Sequence, residues 1–292
     1  MTNTMEKLTQ FFEANEDLRV FSMNGSKVNS TIPDDIFKDY DVVFFSTDFS
    51  KYINDSSFLD IFGDILIQTE PESDPKSPNE LLHGDGYVYL VQYVSGLRID
   101  FQFLALSQLD SYLKEDSLTK IIADKDKLIQ THIVPSDTDY WLEQPTEKDV
   151  LFSITEFWWL FPNILKATLR NQLLLSEFYL DLARKELFQL MIWGIASKEG
   201  WDKNYGKEFT ALLKYLTKKE HSCVMSLFNV GSQKQIYDAL LEMIALYEDT
   251  SVTLFDDFSQ LDTATLDEYK HIPYKYLISK NQNDLAKMFK RA

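Results

Sequence analysis

Hydrophobic and polar residues alternate in short runs over the first half of the chain, a pattern typical of strands separated by short helices. Residues 5–12 are amphipathic with a helical period, and residues 40–46 form an apolar run that predicts a buried strand. Two runs rich in β-branched and aromatic residues, 87–94 and 97–105, flank Ser95-Gly96. This arrangement predicts a β-hairpin, and the whole segment predicts a sheet flanked by helices.

The period becomes helical after Thr146, where Thr-Glu-Lys-Asp resembles a capping box with Asp in place of the usual Glu. Before it, residues 108–124 are expected to form a short helical pair. Residues 70–86, with three prolines and two glycines, are expected to form a long loop. Two domains are expected, 1–140 with the sheet and 141–292 all-helical. Helices packed as a bundle are predicted over about 147–175, 177–197, 206–217, 222–228 and 233–247.

Candidate chemistry lies at Gly25-Ser26, followed after twelve residues by Asp39-Tyr40-Asp41 and then an apolar strand. A loop with Gly25 brings backbone N–H groups close to phosphate oxygens, and Ser26 adds a hydroxyl donor. Asp39 and Asp41 share one face of a strand and offer the hard oxygen ligands that Mg²⁺ prefers. A lone Asp-x-Asp is better explained as a solvated strand start. Joined to Gly-Ser at this spacing, it favours Mg²⁺ on a nucleotide triphosphate.

A third carboxylate, Asp100, falls in the middle of a strand that otherwise looks buried. In residues 97–105, apolar positions alternate with Arg98, Asp100 and Gln102. A carboxylate at such a position is costly unless it binds something. A salt bridge to Arg98 on the same face explains Asp100 as well as metal or proton chemistry does, and without further information it is the preferred explanation.

Charge excludes some classes of partner. The 292 residues include 29 Lys and Arg and 46 Asp and Glu, for a net charge of −17. This charge repels nucleic-acid backbones unless a basic patch is segregated, and the sequence shows no such patch. It suits a cationic small molecule, which a negative cleft would attract, although solubility alone also explains it.

The remaining composition points to a reducing compartment. A single cysteine, Cys223, leaves no intramolecular disulfide or cysteine zinc cluster and is expected inside a helix. The four histidines have no metal-ligand spacing. The N-terminus does not look like a signal peptide, and no apolar run approaches the roughly 20 residues that span a bilayer. We expect a cytoplasmic protein without a membrane partner; the oligomeric state is not given by the sequence.

The Gly-Ser and Asp-x-Asp pattern resembles the nucleotidyltransferase superfamily that includes DNA polymerase β. More narrowly, segments in order from about Arg19 to about Tyr215 resemble the aminoglycoside 6-adenylyltransferases, the streptomycin-modifying enzymes. These segments are Met23–Ser26, Phe37–Asp41, Leu97–Asp100, Asp124–Asp126, Asp139–Trp141, Pro145-Thr146, Glu156–Trp159 and Arg184–Leu187.

The resemblance implies an α+β fold, with a nucleotidyltransferase domain built on a mixed β-sheet flanked by helices and a C-terminal all-α bundle. It also implies transfer of AMP from Mg-ATP to a hydroxyl of an aminoglycoside, with release of pyrophosphate. Streptomycin is the first candidate substrate. Asp39 and Asp41 would hold Mg²⁺. Asp100 would complete the metal site or act as general base, the role we favour. Gly25 and Ser26 would bind the β- and γ-phosphates.

Other residues fit the family less closely. Lys27 stands where relatives commonly have Arg, so it would neutralise phosphate without a bidentate fork. Lys207 is a second candidate phosphate contact, with a solvated lysine as the equal alternative. Glu156 would contact a substrate amine in a cleft between the domains, or else pair with a cation such as Arg184 or Lys185. Trp158 and Trp159 beside it are expected in the core.

Two alternatives remain open at this point. The differences from the family at Lys27, at Asp100-Phe101-Gln102 and in the 70–86 loop allow an enzyme of the same fold with another acceptor, either a small molecule or a protein hydroxyl. A non-catalytic nucleotide-binding protein is the other alternative. It is disfavoured because Asp39, Asp41 and Asp100 are all present.

Overall fold

The computed structural model of the protein describes residues 4–79 and 81–290, so residue 80 of the predicted 70–86 loop lies outside the described residues. The chain divides into two compact units, Met1–Asp139 and Tyr140–Ala292. Within the described ranges, none of the helices combines the length and apolar character that crossing a bilayer requires.

The first unit is an α+β unit built on a mixed sheet. Its strands are β1 (Leu18–Asn24), β2 (Tyr40–Ser46), β3 (Ile65–Thr69), β4 (Gly86–Tyr93), β5 (Arg98–Ala105) and β6 (Lys120–Asp124). They form one sheet in the order β3-β4-β5-β2-β1-β6. Strands β2 and β5 run parallel, and the other neighbouring strands run antiparallel. The helices of this unit are α1 (Thr4–Ala14), α2 (Ser50–Asn54) and α3 (Leu109–Tyr112).

Both faces of the central strands are buried, because apolar side chains alternate between two cores. On one face, the ring of Phe44 lies 4.8 Å from that of Phe21 and 5.5 Å from that of Phe11 on α1, measured between centroids. On the other face, Phe45 packs edge-on against Tyr112 of α3 at 4.9 Å. The central strands are therefore packed on both faces, and the site carboxylates lie near their ends.

The prediction of a helical pair over 108–124 is wrong for its second half. Only α3 is helical there, and β6 pairs antiparallel with β1 through Met23↔Lys120 and Val20↔Asp124. Strand β1 has β2 on one side only, so β6 covers an edge that would otherwise expose unpaired backbone groups. This requirement is tertiary and leaves little trace in the local sequence.

The second unit is helical, as expected. Its helices are α4 (Glu147–Leu169), α5 (Leu173–Glu199), α6 (Leu212–Tyr215), α7 (Lys218–Ser226), α8 (Gln233–Asp257), α9 (Thr263–Glu268), α10 (Ile272–Ser279) and α11 (Asn283–Ala286). The capping box that begins α4 is present: Thr146 N donates to Asp149 Oδ2 at 2.8 Å, and Asp149 N donates to Thr146 Oγ1. Helix α4 continues through Pro162.

The core of this unit forms where α4, α5 and α8 pack together. Trp158 is fully buried, with its ring 5.1 Å from that of Tyr247 on α8. Trp159 is 67% exposed, so the expectation that it belongs to the core is wrong. Successive residues of a helix point about 100° apart, and only one of two neighbouring tryptophans faces the bundle core here.

Candidate active site

The candidate site lies at one end of the three central strands, where β1 ends and β2 and β5 begin. Asn24 is the register partner of Asp41 across β1 and β2, and Asp41 is the partner of Asp100 across β2 and β5. Paired residues in neighbouring strands project to the same face of the sheet. Two carboxylates far apart in the sequence therefore stand side by side at a rigid edge.

Gly25 places the predicted phosphate loop against Asp41. Its φ is +69°, a left-handed conformation that favours glycine. A Cβ atom at this position would clash with Asp41 Oδ2. Gly25, Ser26 and Lys27 form a single 3₁₀ turn directly after β1. The Gly-Ser loop and the Asp-x-Asp motif are thus in direct contact.

Arg98 forms an ion-pair network with two of the predicted site carboxylates. Its guanidinium holds Asp100 bidentately, Nε to Oδ1 at 2.9 Å and Nη2 to Oδ2 at 2.8 Å. Its Nη1 also lies 3.3 Å from Asp39 Oδ2. The salt bridge considered as the alternative explanation for Asp100 is therefore present, and it extends to Asp39 as well.

The clustered carboxylates of the site favour the binding of a cation. Burial, together with the negative charges of Asp100 and Asp39, raises the pKa of Asp41 from 3.8 to about 6. Burial also raises the pKa of Asp39, which Arg98 and Lys27 oppose and Asp100 reinforces. The positive charge of Arg98 does not fully offset the crowding of carboxylates around Asp41, and a cation would relieve it.

The donor chemistry fits Mg²⁺ bound together with a nucleotide. Among residues 4–79 and 81–290, no group of three His, Cys, Asp or Glu side chains is arranged to hold a metal ion by itself. Mg²⁺ is commonly bound by one or two carboxylates plus substrate phosphates, with water completing the shell. Asp39 and Asp41 can supply such a pair; Arg98 holds Asp100 bidentately but contacts only one oxygen of Asp39.

A polar network that the sequence did not reveal holds Asn24, the register partner of Asp41. The Tyr112 hydroxyl donates to Asn24 Oδ1 and lies 2.7 Å from Ser22 Oγ. Asn24 Nδ2 donates to Thr119 Oγ1 at 3.2 Å. Asn24 falls inside a segment quoted for the family resemblance, but strand pairing alone shows its position beside Asp41.

A fourth carboxylate, Asp116, also belongs to this surrounding. It accepts a long hydrogen bond from Asn24 Nδ2 at 3.5 Å, and its charge contributes to the raised pKa of Asp41. Asp116 lies in the segment that the sequence pattern assigned to helices. No motif signals it, because only the pairing of β6 with β1 brings this segment to the site.

The other predicted site residues are distributed over both units. Lys27 lies near Asp39, with Nζ 3.8 Å from Asp34 Oδ1 and 4.8 Å from the ring centroid of Tyr40. Lys207 is exposed in a turn of the second unit, and Glu156 is half-buried on α4. Their assignments as phosphate and substrate contacts stay predictions.

The alternative explanation for Glu156, a pairing with Arg184 or Lys185, is not supported by the ion pairs of the second unit. Arg184, one of the cations named for it, pairs with Glu177 at 2.5 Å and Asp181 at 3.3 Å. Within the described part of the chain, no ion pair joins Glu156 to Arg184 or Lys185.

A mixed sheet with a glycine turn against a strand carboxylate, and a second carboxylate beside it on the parallel strand, is the arrangement expected of a nucleotidyltransferase. The family model for streptomycin adenylyltransferase matches residues 1–277. The chain belongs to this family and is an adenylyltransferase enzyme.

Three relatives carry the name aminoglycoside 6-adenylyltransferase. The protein of Staphylococcus aureus is 30% identical over 234 residues, covering 80% of this chain and 82% of the relative. Those of Bacillus subtilis (strain 168) and Campylobacter jejuni are 29% and 31% identical and cover 83% and 82% of this chain, or 86% and 83% of their own. A crystal structure of an aminoglycoside 6-adenyltransferase from Bacillus subtilis is similar with a TM-score of 0.42 at 24% identity, over 92% of this chain and 96% of that one.

Proposed function

We propose that this enzyme transfers AMP from Mg-ATP to a hydroxyl of an aminoglycoside, with streptomycin as the first candidate, and thereby inactivates the antibiotic. The observation that carries the proposal is the contact of Gly25 with Asp41, together with the pairing of Asp41 and Asp100 across β2 and β5. The names of the relatives support the acceptor class.

The nucleotide would bind where the 3₁₀ turn meets β2. Backbone N–H groups at Gly25 and the Ser26 hydroxyl would donate to the β- and γ-phosphates. Lys27, which stands near Asp39, would add positive charge without the planar fork of an arginine. Asp39 and Asp41 would hold Mg²⁺, which supplies charge neutralisation at the transferring phosphate.

Asp100 would act on the acceptor hydroxyl. The hydroxyl oxygen forms a bond to the α-phosphorus of ATP while the bond from this phosphorus to the α,β-bridging oxygen breaks. Pyrophosphate leaves, and the hydroxyl proton passes to the Asp100 carboxylate. Arg98 donates one hydrogen bond to each oxygen of Asp100, and each oxygen keeps a second lone pair. The pairing therefore orients the base and leaves it able to accept the hydroxyl proton.

The acceptor would be attracted by charge. A net charge of −17 favours encounter with a cationic aminoglycoside. Glu156 is the side chain of the second unit that we assign to a substrate amine, and Lys207 is assigned to the triphosphate. ATP as co-substrate and a single cysteine support the cytoplasm as the compartment.

Pyrophosphate release with a panel of aminoglycosides tests the proposal. With ATP and Mg²⁺, release is expected only when a suitable aminoglycoside, streptomycin first, is added. Asp41→Asn should abolish release, whereas Asp64→Asn, an exposed carboxylate of the same unit, should leave it unchanged. ATP binding without release across the whole panel would refute the acceptor class and favour an enzyme with another acceptor.

A separate measurement distinguishes the two roles of Asp100. If Asp100 is the base, Asp100→Asn should bind Mg-ATP with nearly unchanged affinity in calorimetry and lose turnover by a factor of at least about 10². If Mg-ATP binding is lost together with turnover, Asp100 is a metal ligand.

A further inference from the structure

Helix α5 carries an exposed stripe that combines apolar and charged side chains. Leu174, Phe178, Asp181 and Lys185 follow at intervals of three and four residues, so they lie on one face of the helix. Leu174 is 91% exposed and Phe178 57% exposed. Contiguous apolar surface marks interaction sites, and Leu174 and Phe178 are one helical turn apart on the same solvated face.

An apolar cavity of about 420 Å³ opens beside the C-terminal part of this stripe. Much of its apolar wall comes from Phe188, Phe209, Met225 and Phe228, and the charged residues that line it are Asp181, Arg184, Lys185 and Glu208. It offers a preformed place for an apolar group, with charges of both signs around it.

The wall of the cavity is fixed by a buried cation. Arg184 is only 3% exposed, and its Nη1 donates to the Leu227 carbonyl at 2.9 Å. Its guanidinium lies 4.6 Å from the ring centroid of Phe228, and it pairs with Glu177 and Asp181. These contacts join α5 to the segment after α7, so the cavity is part of the folded unit rather than a gap between loose side chains.

The spacing of these residues along α5 suits two copies of the helix packed antiparallel. Asp181 comes three residues after Phe178, and Phe188 comes three residues after Lys185. Each offset spans about 4.5 Å along a helix. If Asp181 lies opposite Lys185 of a second copy, Phe178 lies opposite Phe188 of that copy, at its cavity. Two-fold symmetry then produces each of these contacts twice.

We propose that α5 is the dimer interface of this enzyme, with Phe178 of each copy in the apolar cavity of the other. Asp181 pairs with Lys185 across the two-fold axis, in both directions. Within the described part of the chain, Lys185 has no ion-pair partner. A second copy is the occupant because a single face of one chain supplies the projecting ring, the cavity and both charges in matching register. This inference does not depend on the proposed reaction.

Removing the projecting ring tests the interface. Sedimentation equilibrium of the full chain should show a monomer–dimer equilibrium for the wild type, and Phe178→Ala should weaken it at least about tenfold because the central apolar anchor is lost. Val252→Ala is the matched control: Val252 is 64% exposed on α8, and its truncation should leave association unchanged. Circular dichroism checks that both variants remain folded.

Charge reversal tests the register. Asp181→Lys and Lys185→Asp each place like charges opposite each other in a homodimer, so each variant alone should be monomeric. An equimolar mixture should dimerise, because the Lys at position 181 of the first variant then meets the Asp at position 185 of the second, and Lys185 of the first meets Asp181 of the second. A wild type that stays monomeric at about 100 µM, or a mixture that associates no better than either variant alone, would overturn the proposal.

Discussion

Asp41→Asn is expected to make the protein more stable while removing its activity. The side chain is partly buried beside Asp39 and Asp100, and its pKa is raised from 3.8 to about 6. Each pKa unit corresponds to about 1.4 kcal/mol, so the ionised form costs the fold roughly 3 kcal/mol, or about 2 kcal/mol after solvent screening. An asparagine of similar shape cannot ionise and avoids this cost.

The contribution of Asp41 to the free energy of unfolding changes with pH in a definite direction. Below pH 3.8, Asp41 is protonated in both the folded and the unfolded chain and costs nothing. Between pH 4 and about 6, the folded chain binds more protons at this group than the unfolded chain, so the contribution of Asp41 to stability falls as the pH rises. Above about 6 the cost is fully present.

Urea unfolding at several pH values, without metal or nucleotide, measures the difference in unfolding free energy between wild type and variant. The variant should gain about 2 kcal/mol at pH 7.5 and almost nothing near pH 4. Added Mg²⁺ should stabilise the wild type only. A variant that is no more stable at pH 7.5, or that gains equally at both pH values, would refute the argument that carboxylate crowding raises the energy of the ionised site.

Asp17→Asn is a control for which the opposite change in the free energy of unfolding is expected. Burial acts to raise the pKa of Asp17, but hydrogen bonds from Lys51 and Tyr52 hold it below its usual value. A carboxylate with a lowered pKa stabilises the fold above its unfolded pKa, and that stability is lost as the pH falls through the folded pKa. Asp17→Asn should therefore destabilise the protein at pH 7.5.

Two further predictions follow from the contacts of the site. Gly25→Ala should weaken ATP binding at least tenfold in calorimetry, because its Cβ would displace the Asp41 carboxylate; Gly96→Ala, also at positive φ but with open space around it, should cost stability without changing ATP binding. Arg98→Gln should tighten Mn²⁺ binding about tenfold in nucleotide-free titrations followed by electron paramagnetic resonance, because the guanidinium competes with a cation for the carboxylates it pairs with. An unchanged or weaker Mn²⁺ affinity would show that Arg98 organises those ligands instead of competing for them.

The local sequence pattern predicted the elements that are set by interactions between residues close in the chain. The strand from Tyr40 to Ser46, the hairpin around Ser95-Gly96 and the capping box at Thr146 were all predicted, because period, turn residues and cap chemistry act over a few residues. The pattern did not predict β6, whose pairing with β1 depends on an edge that exists only in the assembled sheet.

The sequence by itself determined the chemical class of the site: a glycine turn for phosphate, and carboxylates at strand positions where they must bind something. It could not decide between a salt bridge and a catalytic role for Asp100, and the structure shows the salt bridge to Arg98 without removing Asp100 from the site. Only the tertiary structure placed Asp41 between Asn24 and Asp100 and brought Asp116 near. The reason is that strand register and the sum of nearby charges are set by segments distant in the chain.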